Sequence, residues 1–411
     1  MHTSVTVSAN SQRYIDLEEK FGAHNYHPLP VVLEKGEGVF LYDVDRKRYF
    51  DFLSGYSAVN QGHCHPKIIA ALIEQAQKLT LTSRAFHSNL LGEYEQYITS
   101  YFGYDKVLPM NTGVEAVETA IKLARRWGYA VKGIEDQKAK IIVCAENFHG
   151  RTSTVISFST DPSSYAKFGP YMPGFKVIPY NDLAALQEAL QDKDVCGFLV
   201  EPIQGEAGVV VPDEGFLSNA KQYCKEANVL FIADEIQTGL CRTGKLLACD
   251  HENVHPDILI LGKALSGGTM PVSAVLADDE IMLTIKPGEH GSTYGGNPLA
   301  CHVAITALQV LKDEQMSERA EKLGQQLRKE LAELNSPFIS LIRGKGLLNA
   351  IVINHPNPDA AWELCLEMKE LGLLAKPTHG DKIRLAPPLV ITEQQVSESV
   401  EIVRKSLEIL K

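Results

Sequence analysis

The stretch ILILGKALSGG, residues 258–268, determines how the rest of the sequence is interpreted. Its apolar half has the length of a buried strand, and it stops at small residues and glycines around a single lysine, Lys263. The pattern therefore places an amine at the end of a buried strand. Burial there would lower the pKa of the lysine and provide a neutral amine that can form a Schiff base with an aldehyde. Taken alone, the segment favours a plainer interpretation, a surface lysine just past a strand end.

A second apolar run, VLFIADEIQTG at residues 229–239, ends in carboxylates. The spacing between Asp234 and Lys263 is long enough for a strand, a crossover and a return to the neighbouring parallel strand. We therefore expect both side chains at one edge of a sheet. A carboxylate that keeps a pyridine nitrogen protonated, facing a lysine that forms an imine, is the arrangement that pyridoxal phosphate chemistry requires.

With these two segments the chain resembles the fold-type I pyridoxal-phosphate aminotransferases, in the class-III subgroup that acts on ω-amines, and within it the ornithine aminotransferases. The resemblance extends from about Phe21 to the C-terminus. It implies an α/β fold, with a large domain built on a mostly parallel central sheet flanked by helices and a small α+β domain. Strands alternating with helices over 106–277 favour the large domain directly. We expect an N-terminal part of the small domain at 1–56, the large cofactor-binding domain at 57–303 and a C-terminal α+β domain at 304–411.

The segment that begins at Thr112 predicts a helix whose N-terminus suits a phosphate. Thr112 and Glu115 form a T-x-x-E capping box after a short strand, and apolar residues then recur at helical spacing. Free N–H groups and the helix dipole favour an anion at that end, although any capped helix would look the same. The resemblance implies that Gly113 and Val114 are the phosphate-binding backbone positions.

Further cofactor contacts are implied by the resemblance. Phe148, after a predicted strand at 139–145, matches the aromatic residue that stacks on the cofactor ring, and a flat apolar ring can cover a flat heterocycle. Gln237 matches the residue that hydrogen-bonds the ring hydroxyl. Ser292 and Thr293 match a loop that reaches the cofactor phosphate of the neighbouring subunit, which implies a homodimer.

The resemblance also implies the substrate contacts. Tyr26 and Tyr56 match tyrosines that line the substrate pocket of ornithine aminotransferases. Arg151 matches the arginine that binds the substrate carboxylate, a bidentate contact worth roughly 1.5–3 kcal/mol. Arg384 matches a second carboxylate-binding arginine, and Glu206 matches the glutamate that pairs with it as a gate. The implied reaction transfers the δ-amino group of L-ornithine to 2-oxoglutarate and gives glutamate 5-semialdehyde and glutamate.

Three neighbouring features have plainer interpretations. His149, beside Phe148, is interpreted as a packed or hydrogen-bonded neighbour, and Glu201 as structural support. The adjacent side chains of the string HCHP at 63–66 cannot easily coordinate the same metal ion, and no second pair of ligands with zinc-like spacing follows. The sequence therefore favours a structural loop there.

Sister activities are the main alternative. FHGRT, DEIQTG, GKALSGG and HGSTYGGNPLA occur across the ω-aminotransferases, so they indicate the cofactor better than the substrate, and an N-acetylornithine or 4-aminobutyrate aminotransferase is the alternative. Tyr26, Tyr56 and the string GAHNYHPLP favour ornithine, whereas Met270 stands where many relatives carry an aromatic residue. A non-catalytic carrier of the cofactor is disfavoured because Lys263 and Asp234 occur together with both arginines. A nicotinamide enzyme is disfavoured because no G-x-G-x-x-G follows a strand and opens a helix.

Composition argues against several classes of partner. The formal net charge of −11 over 411 residues disfavours nucleic acid and anionic membrane, because both bind basic surfaces. No apolar run reaches membrane-spanning length, and residues 1–20 are polar with a single arginine, unlike a signal or transit peptide. The eight cysteines form no CxxC pair, which is typical of a reducing compartment. We expect a cytoplasmic protein or, alternatively, an organellar matrix form after removal of a presequence.

Overall fold

The computed structural model describes residues 7–411, so the first six positions of the predicted 1–56 segment lie outside the described residues. The α-helices are α1 (Ala9–Phe21), α2 (Ser54–Ser57), α3 (Pro66–Ala76), α4 (Asn89–Phe102), α5 (Gly113–Trp127), α6 (Ser153–Ile156), α7 (Pro162–Tyr165), α8 (Leu183–Ala189), α9 (Phe216–Glu226), α10 (Asp279–Met282), α11 (Pro298–Asp313), α12 (Met316–Glu333), α13 (Ala360–Glu370) and α14 (Glu393–Ser406). Shorter helical segments are a π turn at Gly128–Lys132 and 3₁₀ turns at Ala248–Glu252, Lys263–Ser266 and Leu407–Leu410.

The strands are β1 (Leu33–Glu37), β2 (Phe40–Asp43), β3 (Arg48–Asp51), β4 (Lys106–Met110), β5 (Lys140–Cys144), β6 (Phe175–Ile178), β7 (Val195–Val200), β8 (Leu230–Asp234), β9 (Ile258–Leu261), β10 (Ser273–Ala277), β11 (Ile339–Lys345), β12 (Leu348–Ile353), β13 (Leu373–Leu374), β14 (Lys376–Thr378) and β15 (Lys382–Leu385). A 7-stranded sheet has the order β4-β10-β9-β8-β7-β5-β6. Strands β6, β5, β7, β8 and β9 are parallel neighbours, whereas β10 is antiparallel to both β9 and β4. The predicted α/β fold with a mostly parallel central sheet is therefore confirmed.

Apolar side chains cover both faces of this sheet. Along β5, Ile141 and Val143 belong to the cluster that packs on α5, and Ile142 and Cys144 belong to the cluster that packs on α8 and α9. Successive strand residues point to opposite faces, so a strand covered on both sides must be apolar at nearly every position. This is why the central strands appear in the sequence as continuous apolar runs.

The expected adjacency of the two key segments is confirmed. Strands β8 and β9 pair in parallel, with Asp234 opposite Ile260. Asp234 is the last residue of β8, and Lys263 begins a 3₁₀ turn two residues after β9. Both residues therefore emerge from the same edge of the sheet.

Two smaller sheets complete the fold, with the orders β1-β2-β3-β13 and β11-β12-β15-β14. Strand β13 pairs in parallel with β3, so a C-terminal strand extends the N-terminal sheet. We keep the division at 1–56, 57–303 and 304–411 as a proposal, and this pairing supports treating the first and last parts as one domain. Among the helices of the described chain, none has the length and apolarity that a membrane crossing requires.

Capping boxes are present at two helix starts, and the first of them is the predicted box at Thr112. Thr112 Oγ1 accepts a hydrogen bond from the Glu115 N–H at 3.4 Å, and Glu115 Oε2 accepts one from the Thr112 N–H at 3.0 Å. Thr392 and Gln395 make the same reciprocal contacts at the start of α14. Each box satisfies N–H groups that a helix start leaves without partners.

Candidate active site

A cavity of about 200 Å³ lies where the loops after β5, β7, β8 and β9 meet the start of α5. This is the edge of a parallel α/β sheet at which ligands bind. Its lining residues are Gly113, Val114, Phe148, His149, Gly150, Glu201, Ile203, Glu206, Asp234, Ile236, Gln237, Thr238 and Lys263. The structure therefore brings together seven residues that the sequence analysis assigned to one site, namely Gly113, Val114, Phe148, Glu206, Asp234, Gln237 and Lys263.

Lys263 lies in a left-handed backbone conformation with φ of 44°. Such a conformation is strained for a residue other than glycine and persists only where the surroundings hold it, as they often do at functional sites. The buried Gln61 contributes, since its Nε2 donates to the Ala264 carbonyl oxygen at 3.0 Å. Burial lowers the pKa of the Lys263 amine to about 8, although the charge of Glu206 opposes the shift. A neutral amine is thus accessible near physiological pH.

Asp234 has a buried histidine as its partner. The Nδ1–H of His149 donates to Asp234 Oδ2 at 2.6 Å, and the Ile236 N–H donates to Oδ1 at 3.1 Å. Burial alone would lower the pKa of His149, but the hydrogen bond to Asp234 and its charge raise it. The interpretation of His149 as a hydrogen-bonded neighbour is confirmed, and the sequence analysis missed only that its partner is Asp234.

Glu201 fixes the backbone of the predicted stacking residue. Its Oε2 accepts a hydrogen bond from the Phe148 N–H at 2.9 Å, as expected for structural support. Burial raises the pKa of Glu201 to about 8, with His149 opposing the shift and Asp234 adding to it. The carboxyl group of Glu201 is therefore largely neutral at pH 7 and adds little negative charge beside Asp234.

Glu206 and Arg384 form a closed ion pair beside the lysine. Arg384 Nη1 and Nη2 donate to the two carboxylate oxygens of Glu206 at 3.0 and 2.9 Å, and Gln237 Nε2 donates to Glu206 Oε1 at 3.0 Å. Burial would raise the pKa of Glu206, but the charge and hydrogen bonds of Arg384 lower it to about 2. The pair is thus ionised throughout the physiological range, and it shields the guanidinium from other anions.

Tyr56 lies against this pair on a left-handed turn. Its ring centroid is 5.1 Å from Arg384 Cζ, and φ is positive at both Gly55 and Tyr56. The turn is fixed because the Ser54 hydroxyl donates to the Ala386 carbonyl oxygen at 2.7 Å. Burial raises the pKa of the Tyr56 hydroxyl, and the negative charge of Glu206 adds to the shift.

Arg151 and Tyr26 lie outside the lining of the cavity. Arg151 is exposed, with its guanidinium 5.8 Å from the centroid of the Phe148 ring. Tyr26 is 72% exposed in the irregular segment after α1. Arg151 is close enough to Tyr56 for its positive charge to lower the pKa of the Tyr56 hydroxyl, and Tyr26 also lies near Tyr56. Met270 packs against the largest hydrophobic cluster.

Ser292 and Thr293 line a second cavity on the same chain, together with Met110, Asn111, Glu115, Glu118, Thr152, His290, Gly291 and Tyr294. Asn111 Nδ2 donates to Ser292 Oγ at 2.7 Å, and Thr293 is exposed. The structure therefore does not place these two residues in the cavity of Lys263.

The histidines at 63–66 have separate acceptors. His63 Nε2 lies 2.7 Å from Asp51 Oδ2, and His65 Nε2 lies 2.9 Å from Glu314 Oε1. The described residues contain no group of three or more side chains that could hold a metal ion.

The cavity fits a phosphorylated pyridine aldehyde that carries a ring hydroxyl. Gln237 Oε1 is a buried acceptor without a hydrogen-bond partner in the described chain, which suits a hydroxyl donor. Helix geometry leaves the N–H groups of Gly113 and Val114 without intrahelical acceptors, which suits a phosphate. A Cβ at Gly150 would lie 2.4 Å from the side chain of Val114, so only glycine permits this close approach. Pyridoxal phosphate has the groups that these positions match.

Comparison with known proteins identifies the family. The model for Aminotransferase class-III matches residues 21–407. The chain belongs to the class-III aminotransferases. It is 65% identical to the mitochondrial ornithine aminotransferase of Rattus norvegicus over 97% of this chain and 91% of the relative.

Solved structures of this class-III fold agree with the architecture. The ornithine aminotransferase of Toxoplasma gondii, whose active site holds PLP at partial occupancy, superposes with a TM-score of 0.95 at 49% identity over 97% of this chain and 94% of its own. The acetylornithine aminotransferase of Elizabethkingia anophelis superposes with a TM-score of 0.90 at 61% identity over 98% and 100%. Both relatives thus share the fold across nearly the whole chain, and their names differ in substrate.

Proposed function

We propose that this aminotransferase transfers the δ-amino group of L-ornithine to 2-oxoglutarate with pyridoxal 5′-phosphate as cofactor. The products are glutamate 5-semialdehyde, which cyclises to pyrroline-5-carboxylate, and glutamate. The closed pair of Glu206 and Arg384 beside Lys263 carries the proposal. A donor that reacts far from its carboxylate requires the nearby guanidinium to be shielded, whereas a 2-oxo acid, whose carboxylate adjoins the reacting carbon, requires it to be free. The identity to the rat ornithine aminotransferase supports the same substrate.

Bound pyridoxal phosphate supplies an aldehyde for amine exchange and a ring that withdraws electrons from the reacting carbon. With the cofactor bound, Lys263 Nζ would take a proton from the δ-carbon of ornithine as a general base and would later donate a proton as a general acid. Asp234, oriented by His149, would keep the ring nitrogen of the cofactor protonated. Phe148 would cover the ring, and Gln237 Oε1 would accept the hydrogen bond of the ring hydroxyl.

Substrate orientation is assigned to residues at the opening of the site. Arg151 binds the α-carboxylate of ornithine, Tyr26 lies near its α-amine, and Tyr56 lines the pocket between them. These contacts present the δ-amine to the cofactor and keep the α-amine away. The proximity of Arg151 and Tyr26 to Tyr56 supports this assignment.

Glu206→Ala is expected to shift specificity towards α-amino acids. Without the carboxylate, Arg384 is free to bind the α-carboxylate of glutamate at the start of the cycle. A bidentate charged contact is worth roughly 1.5–3 kcal/mol, so the ratio of kcat/KM for glutamate to that for ornithine should rise by about 10- to 100-fold. Stopped-flow half-reactions with each amino acid measure this ratio. Glu206→Gln, which keeps the shape and loses the charge, should change it in the same direction, and an unchanged ratio in both variants would refute the gate.

A homodimer is proposed in which Ser292 and Thr293 serve the cofactor phosphate of the neighbouring subunit. Their location in a separate cavity supports this arrangement, as does the exposed Tyr294 beside them. In mixed dimers of one Lys263→Ala chain and one Thr293→Val chain, sharing between subunits would leave one of the two sites intact. Activity of the mixed dimer well above that of either parent variant is therefore expected, and activity no higher than in the parents would contradict the sharing.

A reducing compartment is proposed from the cysteines. All eight are free, and all except Cys64 are buried. Both the cytoplasm and an organellar matrix satisfy this condition, and the mitochondrial name of the rat relative supports the matrix alternative.

N-acetylornithine is the second candidate donor, favoured by the 61% identity to a protein named acetylornithine aminotransferase. Mixing the cofactor-loaded protein separately with L-ornithine, N-acetylornithine and 4-aminobutyrate, and following loss of the visible cofactor absorption, distinguishes these donors. We expect ornithine to react fastest. Faster reaction with either other amine would keep the cofactor site and overturn the substrate assignment.

A further inference from the structure

Arg242 is a fully buried arginine outside the cavity. Its Nε and Nη2 donate to Asn60 Oδ1 at 3.1 and 2.6 Å, and its Nη1 donates to the carbonyl oxygens of Leu347 and Pro387 at 3.1 and 2.6 Å. Burial lowers the pKa of Arg242 to about 9, although the charge of Asp51 opposes the shift. Within the described chain all of its hydrogen-bond acceptors are neutral, which is unusual because buried charges are normally paired with opposite charges.

These hydrogen bonds join segments that are far apart in the sequence. Arg242 lies in the loop after β8, which also carries Gln237, and Leu347 lies in the turn between β11 and β12. Pro387 comes two residues after β15, the strand that carries Arg384. A single guanidinium therefore connects the cofactor side of the cavity with the strand of the gate arginine.

Asn60 adds a second connection between the same segments. Its Nδ2 donates to the Leu240 carbonyl oxygen at 2.8 Å, and its own carbonyl oxygen accepts the Leu389 N–H at 2.8 Å. Asn60 is thus held through its side-chain amide by Leu240 and through its backbone carbonyl by Leu389, and it presents Oδ1 to Arg242. The fork of the guanidinium matches this arrangement because its donors point in several fixed directions, which a lysine ammonium cannot reproduce.

We infer that Arg242 is a positioning residue that sets where Arg384 stands relative to Glu206 and Gln237. The inference rests on the proposed function, in which Arg384 binds the carboxylate of the 2-oxo acid. Arg242 does not touch the cavity and acts through the Pro387 carbonyl oxygen. It matters most for the half-reaction that uses Arg384 and least for the half-reaction in which Arg384 stays paired.

Arg242→Gln, tested in the cofactor-loaded protein, separates these half-reactions. A misplacement of about 1 Å can cost on the order of 100-fold, so the half-saturating concentration of 2-oxoglutarate should rise by about 10- to 100-fold. The limiting rate constant with ornithine should stay within about threefold, since Arg151, which is assigned to the ornithine carboxylate, lies on the loop after β5 and not on the segment that Arg242 holds. A role in stability alone would instead lower the melting temperature and leave both half-reactions unchanged or reduce them together.

Arg319→Gln is the matched control. Arg319 also donates to carbonyl oxygens after β15, those of Leu389, Val390 and Ile391 at 3.4, 3.2 and 3.1 Å, all of them farther along the chain from Arg384 than Pro387 is. We expect it to lower the melting temperature without the selective effect on 2-oxoglutarate. An equal effect of the two variants on 2-oxoglutarate would overturn the inference.

A second variant keeps the test decisive if Arg242→Gln does not fold. Arg242→Lys retains the charge but can reach only some of the acceptors. The half-saturating concentration of 2-oxoglutarate should therefore rise selectively again, by a smaller factor. Absence of this selective rise would overturn the inference. Failure of the wild-type protein to react with ornithine would instead refute the proposed function, so the two failures are distinguishable.

Discussion

Replacing Lys263 by alanine is expected to slow amino transfer from ornithine by at least about 10⁴-fold, because the site loses both its nucleophilic amine and its proton carrier. The fold should survive. Alanine tolerates the left-handed backbone at this position no worse than lysine does, and the change removes a buried amine whose pKa burial lowers to about 8. Product formation and thermal unfolding, measured on the same preparation, check both expectations.

Lys221→Ala is the matched control for this lysine. Lys221 Nζ pairs with Asp257 Oδ1 at 2.5 Å. Asp257 lies immediately before β9, at the end of the strand opposite to Lys263. Removing this partly exposed pair should cost at most about 1 kcal/mol of stability and leave catalysis intact. If Lys263→Ala kept activity within about tenfold of the wild type, the assignment of the reactive lysine would be wrong.

Asp234→Asn should have the second largest effect. A pair of unit charges about 4 Å apart at an effective dielectric of about 20 is worth roughly 4 kcal/mol, on the order of 3 pKa units. Loss of this interaction from the protonated ring nitrogen should slow transfer by about 10²- to 10³-fold. The pH titration of the bound cofactor absorption gives an independent measurement, because the pKa of the ring nitrogen should fall.

Glu235→Gln controls for the loss of any buried carboxylate from this loop. Glu235 follows Asp234, but it is not among the residues that line the cavity, and it accepts hydrogen bonds from the Thr238 hydroxyl and from the Cys249 N–H at 2.8 Å. Burial raises its pKa to about 7, so the neutral amide is a modest change. Equal losses of activity in Asp234→Asn and Glu235→Gln would argue against the special role of Asp234.

The features that local sequence determines were predictable. The runs that became β8 and β9 are apolar at nearly every position because both faces of the sheet are covered, and their spacing placed Asp234 and Lys263 at one edge. The capping boxes at Thr112 and Thr392 were also predictable, since the residues that satisfy the helix start lie within one turn of it.

Other features depend on contacts between distant segments and could not be predicted. The left-handed turn that presents Tyr56 contradicts the local preference of its residues and is held by the Ala386 carbonyl oxygen. Arg242 lies among turn-forming residues in the sequence, where an exposed position is expected, yet its acceptors come from three other segments. Strand β10 lies antiparallel between β4 and β9, and the sequence of an apolar strand does not indicate its direction or its neighbours in the sheet.

The placement of Ser292 and Thr293 illustrates the same difference. Family resemblance predicted their role at the cofactor phosphate. The residue types of a small, polar loop could not show whether that phosphate belongs to the same subunit or to its neighbour. The single chain places them in a cavity of their own, beside Asn111.

Transfer of labelled nitrogen from ornithine shows which of its two amines the enzyme removes. The cofactor-loaded protein is incubated with 2-oxoglutarate and L-ornithine carrying ¹⁵N at either the δ- or the α-amine, and glutamate is analysed by mass spectrometry. We expect label from the δ-position to reach glutamate and label from the α-position to stay in the other product. Label in glutamate from the α-amine, or no labelled glutamate from either substrate, would contradict the proposed δ-amino transfer.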